Sequence, residues 1–378
     1  TLICYVFENY CNLILQFAVF LLTSAARHGI IVLNIRYTNG GLKMDKYLVH
    51  EILPAEGNPR NGEGSFLRAP DGDILFAYGR FTGGTGDDEA CDIAMIRSHD
   101  GVVFGEPEII ARAEDFGVGN IMSVSGLTLP DGRICFWFLI KENDGTSTLG
   151  RTMSTDGKSF MAERCECLFP REYYVVNNDR FEIMSDGRIA VPAASHRKTF
   201  APDGRLVRFE GNAELTVFVS DDGYTFREAG ARCALPSYPF NRHAAIQEPG
   251  IYERPDGVVV MWARTTLGSQ YMCASIDGMR SFTVPGPSEF TSPCSPMEIY
   301  QADGRMFAAY NPIPNYNGRC EGFGSDRTPL VVRVSGDGGK SFGGLNVIGE
   351  DPERGYCYPA MFVSDGHLLL SVCRGRRD

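Results

Sequence analysis

The sequence predicts an all-β fold, a six-bladed β-propeller built of four-stranded antiparallel blades. The prediction rests on two short phrases that alternate strictly along the chain. The first is Asp-Gly followed by an apolar run, and its six copies begin at Pro70, Pro130, Ser185, Pro255, Ala302 and Ser364. The second is Ser-x-Asp, and its five copies begin at Ser98, Ser154, Ser220, Ser275 and Ser335. Four-stranded units repeated around an axis form a propeller.

Each phrase marks the turn of a β-hairpin. The Asp-Gly turn joins the two inner strands of a blade and the Ser-x-Asp turn joins the two outer strands, so each repeat supplies four strands. The aspartate of Ser-x-Asp is expected to cap its turn by accepting hydrogen bonds from backbone N–H groups. We therefore predict structural rather than catalytic roles for Asp100, Asp156, Asp222, Asp277 and Asp337.

The two ends of the chain complete the predicted domain. No Ser-x-Asp phrase follows the sixth Asp-Gly phrase, so residues 46–53 (KYLVHEIL) are expected to supply the missing outer strand. The propeller is therefore predicted to span residues 44–378, with residues 1–43 as an N-terminal extension outside the core. The apolar run at residues 12–22 is too short to span a bilayer and lacks the basic segment that precedes a signal sequence. A start at Met44 favours a cytoplasmic protein over a secreted one.

The composition excludes several kinds of partner. The 378 residues carry a net charge of −11, which argues against nucleic acid because backbone binding needs a basic surface. The twelve cysteines include no CxxC pair, and several lie in apolar runs, which favours buried thiols over a disulfide framework. The six histidines lack metal-ligand spacing, so neither a metal nor a cofactor is predicted. The oligomeric state is left open.

The inner strands carry polar residues where apolar ones are expected. Arg264 ends the strand that follows Asp256-Gly257, so in a hairpin it should lie beside Glu248. Such polar positions fit a solvent-filled pocket at the end of the propeller opposite the turns, although ordinary polarity at strand ends is an alternative. The positions eight residues before the six Asp-Gly aspartates are Glu63, Ser123, Asn178, Glu248, Ser295 and Cys357.

The Ser-x-Asp phrase carries a family resemblance. Its full form, Ser-x-Asp-x-Gly-x-Ser/Thr-aromatic, is matched by residues 335–342, and the other copies depart from it mostly by one residue. This phrase resembles the Asp box of sialidases and related BNR-repeat proteins. The resemblance implies the propeller fold. It does not by itself imply activity, because Asp boxes also occur in propellers without sialidase chemistry.

The resemblance further implies three arginines that hold the carboxylate of an acidic sugar, a role that suits planar bidentate donors. Residues 247–264 are similar to the family stretch that ends in the second arginine, here Arg264. Residues 325–339 are similar to the segment with the third, here Arg327. Arg60 is the candidate for the first, although the family's Arg-Ile-Pro phrase is replaced by a longer one. Glu63 is expected to orient Arg60 or to contact a sugar hydroxyl.

The same resemblance implies the catalytic groups. Tyr356, in the phrase GYCYPAM, matches the family nucleophile, and Tyr358 is the alternative, expected on the same side of the strand. A phenol suits this substrate because an anionic carboxylate nucleophile would be repelled by the sugar's own carboxylate. Glu248 is the candidate base for the tyrosine, whose ordinary pKa is about 10. The general acid is Asp87 or Asp88, which the sequence does not separate.

Two further segments face the predicted pocket. Asn178 lies among the polar residues 177–180, which could contact the hydroxyls or the N-acyl group of a sugar, and Arg242 or His243 could contribute from a later segment. The glycines of the loop that carries the acid would let it close over substrate. A solvated acidic loop without a catalytic role is the alternative.

The expected function follows from the resemblance. It is a retaining exo-glycosidase of the exo-α-sialidase type, which hydrolyses terminal sialic or related nonulosonic acids from glycoconjugates through a tyrosyl intermediate. The expected partner is therefore a sialylated or other acidic glycan. Two alternatives stay open: a propeller that binds acidic glycans without cleaving them, and a glycosidase for a different acidic sugar.

Overall fold

The computed structural model describes residues 27–38, 41–202, 206–236, 244–314 and 327–376. These residues form strands and one 3-10 helix, Ala113–Phe116, and none of their helices has the length and apolar content needed to cross a membrane. In chain order the strands are β1 (Arg27–Thr38), β2 (Gly41–Ile52), β3 (Arg60–Arg68), β4 (Ile74–Phe81), β5 (Cys91–Ser98), β6 (Glu108–Ala111), β7 (Ile121–Thr128), β8 (Ile134–Lys141), β9 (Ser147–Ser154), β10 (Met161–Arg164), β11 (Glu166–Leu168), β12 (Tyr173–Val175), β13 (Glu182–Ile183), β14 (Ile189–His196), β15 (Lys198–Phe200), β16 (Leu206–Phe209), β17 (Glu214–Ser220), β18 (Thr225–Glu228), β19 (Cys233–Ala234), β20 (Ile246–Glu253), β21 (Val259–Thr265), β22 (Ser269–Ser275), β23 (Gly286–Thr291), β24 (Glu298–Ala302), β25 (Arg305–Tyr310), β26 (Leu330–Ser335), β27 (Gly343–Gly349), β28 (Arg354–Ser364) and β29 (His367–Arg376).

The strands form an all-β propeller with antiparallel four-stranded blades, as the sequence predicts. Sheet 1 (β3 to β6), sheet 2 (β7 to β10), sheet 4 (β20 to β23) and sheet 5 (β24 to β27) each follow the chain from one edge to the other. Sheet 6 has the order β2-β1-β29-β28. Sheet 3 has seven strands, in which β12 and β13 both pair with β14, and β14 is followed by β17 and β18. The hairpin β15–β16 stands apart.

Sheet 6 joins the two ends of the chain. Residues 46–52 lie in its outermost strand, β2, where the sequence analysis expects them. The predicted boundary at residue 44 does not agree with the structure, because β1 lies inside β2 and pairs with β29, with Arg27 opposite Arg374 and Asn34 opposite His367. β1 was not predicted because neither an Asp-Gly nor a Ser-x-Asp phrase precedes β2, although Asn39-Gly40 between the two strands is itself a hairpin signal. Residues 1–26 lie outside the described residues.

The Ser-x-Asp turns are capped by their own side chains. In the last of them, the Ser335 hydroxyl donates to Asp337 Oδ1 at 2.7 Å. The same oxygen accepts from the backbone N–H groups of Lys340 and Ser341, each at 3.0 Å. The serine-to-aspartate contact recurs in the other four turns. These aspartates are therefore occupied in holding turns.

The core lies between neighbouring sheets. Trp262 on β21 is fully buried, and its indole N–H donates to the Met297 carbonyl at 3.1 Å, just before sheet 5. Gly250 on β20 lies directly beneath this ring, since a Cβ at residue 250 would stand 2.0 Å from Trp262 Cζ2. Glycine is therefore needed at this position by close packing rather than by backbone conformation.

The inner strands are irregular where they approach the pocket. Antiparallel register shifts by one residue in β3, β7, β20 and β28, which marks a β-bulge in each. Ser123, Glu248 and Tyr358 stand at these bulges with positive φ values of 61°, 46° and 52°. A bulge re-aims a side chain relative to regular alternation. It therefore decides which residue of each inner strand faces the pocket.

Candidate functional site

A cavity of about 200 Å³ lies among the inner strands of sheets 1, 2, 3, 4 and 6. It opens at the end of the propeller opposite the Asp-Gly turns. Its lining combines acidic, cationic, amide and phenol side chains with the apolar side chains of Met122 and Leu139. The polar lining residues include Glu63, Asp87, Lys141, Asn177, Glu248, Arg264 and Tyr358.

Glu248 and Arg264 form an ion pair inside this cavity, in the adjacent arrangement that the hairpin predicts. Arg264 Nη1 donates to Glu248 Oε2 at 2.8 Å, and Nη2 donates to Gln247 Oε1 at 2.8 Å. Burial lowers the pKa of the Arg264 guanidinium, but the Glu248 carboxylate, together with the Tyr358 and Cys294 side chains, holds the pKa above its usual range. Arg264 is therefore a permanent cation at the base of the cavity.

Tyr358 lies beside this pair. Its hydroxyl is 3.5 Å from Glu248 Oε1, and its ring is 5.7 Å from the guanidinium carbon of Arg327. Burial, and then the Glu248 carboxylate, raise the pKa of the phenol. Asn177 Nδ2 donates to the other Glu248 oxygen at 3.4 Å. The phenol is therefore neutral, with a carboxylate placed to accept its proton.

Tyr356, the sequence-predicted nucleophile, is not in the cavity. It is 5% exposed and packs in an apolar cluster with Ile31 and Leu33. Its ring presses against Gly349, where a Cβ would lie 2.6 Å from it. The expectation that Tyr356 and Tyr358 share one side of the strand is wrong, because the bulge in β28 intervenes between them. The structure brings Tyr358, the alternative, to Glu248 instead.

Arg60 links two acids at the other side of the cavity. Its Nη1 donates to Asp87 Oδ1 at 2.5 Å and its Nη2 lies 3.5 Å from Glu63 Oε1. Its guanidinium also stacks on the Phe81 ring at 4.3 Å. Burial raises the pKa of Glu63, although Arg60 opposes the shift. Glu63 therefore contacts Arg60, as one of its two predicted roles requires.

The structure separates the two candidate acids. Asp87, whose side chain is 65% exposed, lines the cavity and pairs with Arg60. Asp88 is 88% exposed, pairs with Lys141 Nζ at 3.1 Å and does not line the cavity. Burial raises the pKa of Asp87, but Arg60 outweighs it and lowers the pKa below its usual range. Only Asp87 is placed to act on a group in the cavity.

Arg327 stands behind Tyr358. It is buried, and its Nη2 donates to the Cys294 carbonyl at 3.3 Å. Burial lowers its pKa, yet the Cys357 and Tyr358 side chains raise it above the usual range, against the repulsion of Arg264. Within the described residues no carboxylate forms an ion pair with Arg327. A buried cation without a counter-anion is a site that favours an anionic ligand.

Residues 73–370 match the BNR repeat-like domain family. The chain belongs to this family. Its fold is that of solved sialidases, although no curated protein matches the chain. NanB sialidase of Streptococcus pneumoniae superposes with a TM-score of 0.61 at 13% identity, over 88% of this chain and 71% of that one. The intramolecular trans-sialidase of Ruminococcus gnavus superposes at 0.60 with 15% identity, over 85% and 96%.

A Dyadobacter fermentans protein of unknown function is also similar, with a TM-score of 0.60 and 20% identity over 86% of this chain and 97% of that one. At these identities the likeness concerns the fold. The fold of this BNR propeller does not determine its function, which depends on the side chains that line the cavity.

Only some of the six polar positions predicted to surround the pocket line the cavity. Glu63, Ser123 and Glu248 line it. Asn178, predicted to bind substrate, is instead fully buried and donates to the carbonyls of Gly64 at 2.9 Å and Pro359 at 3.3 Å. It braces β3 against β28, and its neighbour Asn177 faces the cavity. The register against β14 differs by three residues between β12, where Val175 pairs with Ala194, and β13, where Glu182 pairs with Ala190.

The sequence analysis missed several lining residues of this BNR site. Lys141 ends β8, the second strand of its sheet, which is the kind of position that Arg264 occupies in sheet 4. Lys141 could therefore have been predicted as a lining residue from its position at the end of the second strand. Tyr173 and His196 come from the irregular segment of sheet 3, where no turn phrase fixes the register. Arg242 and His243 lie outside the described residues.

Proposed function

We propose that this protein is a retaining exo-glycosidase that releases a terminal sialic acid, or a related nonulosonic acid, from glycoconjugates. The observation that carries the proposal is the convergence of the Tyr358 hydroxyl, the Glu248 carboxylate and the Arg264 guanidinium in one cavity. A phenol beside a base fits nucleophilic attack at an anomeric carbon that bears a carboxylate.

Arg60, Arg264 and Arg327 supply the charge for binding that carboxylate. Guanidinium groups suit it because they remain protonated and donate two parallel hydrogen bonds. Arg264 lines the cavity, whereas Arg327 lies behind Tyr358 and is the one of the three that forms no ion pair within the described residues. The apolar side chains of Met122 and Leu139 on the opposite wall suit a less polar substituent of the sugar.

The reaction proceeds by two displacements. The Tyr358 hydroxyl proton passes to Glu248 while the phenolic oxygen bonds to the anomeric carbon. The bond to the glycosidic oxygen breaks, and that oxygen takes the electron pair and the proton of Asp87. Water then attacks the anomeric carbon and gives a proton to Asp87, while Tyr358 leaves and recovers its proton from Glu248. Two inversions retain the configuration.

The hydroxyl-to-carboxylate distance of 3.5 Å is long for a working hydrogen bond. Catalytic hydrogen bonds are often long in ligand-free proteins and shorten when substrate binds. The distance is therefore compatible with the assigned roles of Tyr358 and Glu248.

One observation favours a second candidate, a propeller that binds acidic glycans without cleaving them. Asp87 is paired with Arg60, which lowers its pKa, whereas a general acid must hold a proton. In the enzyme, the carboxylate of the substrate competes with Asp87 for Arg60 and relieves that effect. In a binding protein the pair would persist. A third candidate, a glycosidase for another acidic sugar, keeps the arginines and suits the altered sequence around Arg60.

We further propose that the propeller has six blades, with sheet 3 as the sixth. Its strands β14, β17 and β18 follow the same antiparallel order as the four-stranded sheets. They also carry one Asp-Gly turn and one Ser-x-Asp turn, at residues 186–187 and 220–222. The interrupted pair β12 and β13 takes the place of a single inner strand. On this proposal β1 to β29 form one domain.

The test of function is release of free sugar from α2,3- and α2,6-sialyllactose, followed by NMR. Release with the α-anomer appearing first supports a retaining sialidase. Saturable binding of free sialic acid without release favours the binding propeller. Neither release nor binding points to a different acidic sugar as the ligand.

A further inference from the structure

The loop that carries Asp87 joins β4 to β5 and spans residues 82–90. It is glycine-rich, and the sequence analysis expects it to close over substrate. In the structure it is held against the neighbouring sheet 2. The Asp87 carbonyl accepts hydrogen bonds from Lys141 Nζ at 2.7 Å and from Asn120 Nδ2 at 3.0 Å. Two donors from another sheet therefore fix the backbone of the residue assigned as the acid.

Both donors belong to a stiff part of the fold. Lys141 is the last residue of β8, and its backbone N–H donates to the Asn120 carbonyl at 3.1 Å, which ties the two donors together. Asn120 is buried and also donates to the Glu89 carbonyl at 2.5 Å. The Cys91 N–H, just after the loop, donates to the Gly119 carbonyl at 3.1 Å. The second half of the loop is thus anchored at several points.

Close folding of the loop accounts for the glycine at residue 83. A Cβ at residue 83 would stand 2.8 Å from the Ala90 backbone nitrogen. A Cβ at residue 84 would stand 2.8 Å from Glu89 Cδ. The contact at residue 83 is with backbone, so glycine there lets the two arms of the loop pack together; the contact at residue 84 is with the end of a side chain that can move. Neither glycine has a positive φ.

We propose that Lys141 and Asn120 are positioning residues for the general acid, which hold the Asp87 backbone so that its carboxyl group faces the leaving-group oxygen. This inference rests on the proposed function. The acid is pre-placed by sheet 2 instead of being delivered by loop closure. Pre-placed groups act with little reorganisation, and a displacement of about 1 Å can lower a rate roughly 100-fold.

Lys141 gives the sharper test because its side chain, 14% exposed, reaches the loop from the cavity wall. Lys141→Met keeps the length of the chain but removes the ammonium donor. The probe is a pair of substrates with the same sugar. Sialyllactose has a poor leaving group that needs a proton from Asp87, whereas the 4-nitrophenyl sialoside has a leaving group that departs without one.

We expect Lys141→Met to lower kcat/KM about 10- to 100-fold for sialyllactose and less than about 3-fold for the 4-nitrophenyl sialoside. Lys141→Arg keeps a cationic donor and should recover most of the loss. Lys158→Met is the matched control, because Lys158 is exposed and pairs with Asp71 at the opposite face. It should leave both substrates unchanged.

A positioning role and a merely structural one differ in the ratio of the two rates. Equal losses on both substrates, or no loss on either, would overturn the inference while leaving the proposed function in place. A wild-type protein that hydrolyses neither substrate would instead overturn the proposed function, and the inference with it. Thermal unfolding of each variant shows whether a loss reflects unfolding of the whole domain.

Discussion

The hydroxyl of Tyr358 lies 3.5 Å from Oε1 of Glu248, although the two residues are on different sheets and 110 positions apart. Both stand at β-bulges with positive φ, 52° and 46°. Such conformations cost a non-glycine residue on the order of 1–3 kcal/mol each and persist only where the surroundings impose them. The contact therefore depends on strained backbone in two separate inner strands.

The first prediction separates the two tyrosines. Tyr358→Phe removes the hydroxyl beside Glu248 and should lower kcat for sialoside hydrolysis roughly 1,000-fold or more. Binding of free sialic acid should change little, because the arginines and the ring remain. Rates from sialyllactose and affinities from titration calorimetry measure the two effects.

Tyr356→Phe is the matched control. The Tyr356 hydroxyl lies 3.4 Å from the Asp351 N–H, a marginal hydrogen bond, and its ring is in the apolar cluster. This variant should retain most of the activity. The reverse result, with Tyr356→Phe inactive and Tyr358→Phe active, would contradict the assignment of Tyr358 and restore that of Tyr356.

The sequence predicts the fold well because turns are local. Asp-Gly and Ser-x-Asp fix hairpins through backbone conformation and side-chain caps, and these features can be read within a few residues. The same locality placed Glu248 beside Arg264, since a hairpin relates residues at equal distances from its turn. β1 could have been predicted on the same ground, because Asn39-Gly40 predicts the turn between β1 and β2; only its pairing with β29 comes from the far end of the chain.

The errors in the site have one physical origin. A one-residue bulge moves the side chains that follow it to the opposite face of the strand. No residue type in β28 predicts the bulge. The bulge in β28 brings Tyr358 to the cavity in place of Tyr356, the tyrosine that the family resemblance implied. Counting back from the turn gave Asn178 where Asn177 lines the cavity, because the register against β14 changes between β12 and β13. Asp87 and Asp88 could be separated only by contacts across sheets, with Arg60 and with Lys141.

The second prediction concerns the carboxylate site. Arg327→Ala should weaken the binding of free sialic acid about 100-fold, because charge-assisted hydrogen bonds contribute about 1.5–3 kcal/mol. Arg327 is a cleaner target than Arg264, whose removal would leave Glu248 without its cation. Titration calorimetry at fixed ionic strength provides the measurement.

Arg333→Ala serves as its control. Arg333 lies on β26 and is paired with Glu289 at 2.7 Å, whereas Arg327 has no ion pair in the described residues and stands against the Tyr358 ring. Its loss should leave ligand affinity within about 2-fold, as expected for a contact remote from the ligand. Equal affinities for the Arg327→Ala variant and the wild type would exclude Arg327 from the site.

The third prediction tests the close approach of two neighbouring strands of sheet 4, β20 and β21, at the pair Gly250 and Trp262. Gly250→Ala places a methyl group against Trp262 and should destabilise the fold by about 1–3 kcal/mol through overpacking. Gly286→Ala is the control, because its Cβ would meet nothing within 4 Å and its φ is not positive. Urea unfolding of both variants would show a lower midpoint for residue 250 alone. Equal midpoints would mean that the close approach of β20 to Trp262 is absent.

The last prediction concerns the pH dependence of stability. His28 on β1 is fully buried, its Nε2 lies 3.0 Å from Ser371 Oγ, and burial followed by the charge of His50 lowers its pKa to about 3. In the unfolded chain the pKa is about 6.5. Between these values the unfolded state binds a proton that the folded state does not. The free energy of unfolding is therefore unaffected by the titration of His28 above about pH 6.5, and it decreases as the pH falls from 6.5 toward 3.

Each pH unit in this window corresponds to about 1.4 kcal/mol, so wild-type stability should fall by about 2 kcal/mol from pH 6 to pH 4.5 through this group alone. In His28→Gln that part of the slope should vanish, whereas in His367→Gln, which alters an exposed histidine, it should remain. Comparing variants at the same pH cancels the titration of other groups such as Asp179. If His28→Gln kept the wild-type slope in urea unfolding, His28 would not be buried, and β1 would not occupy its place between β2 and β29.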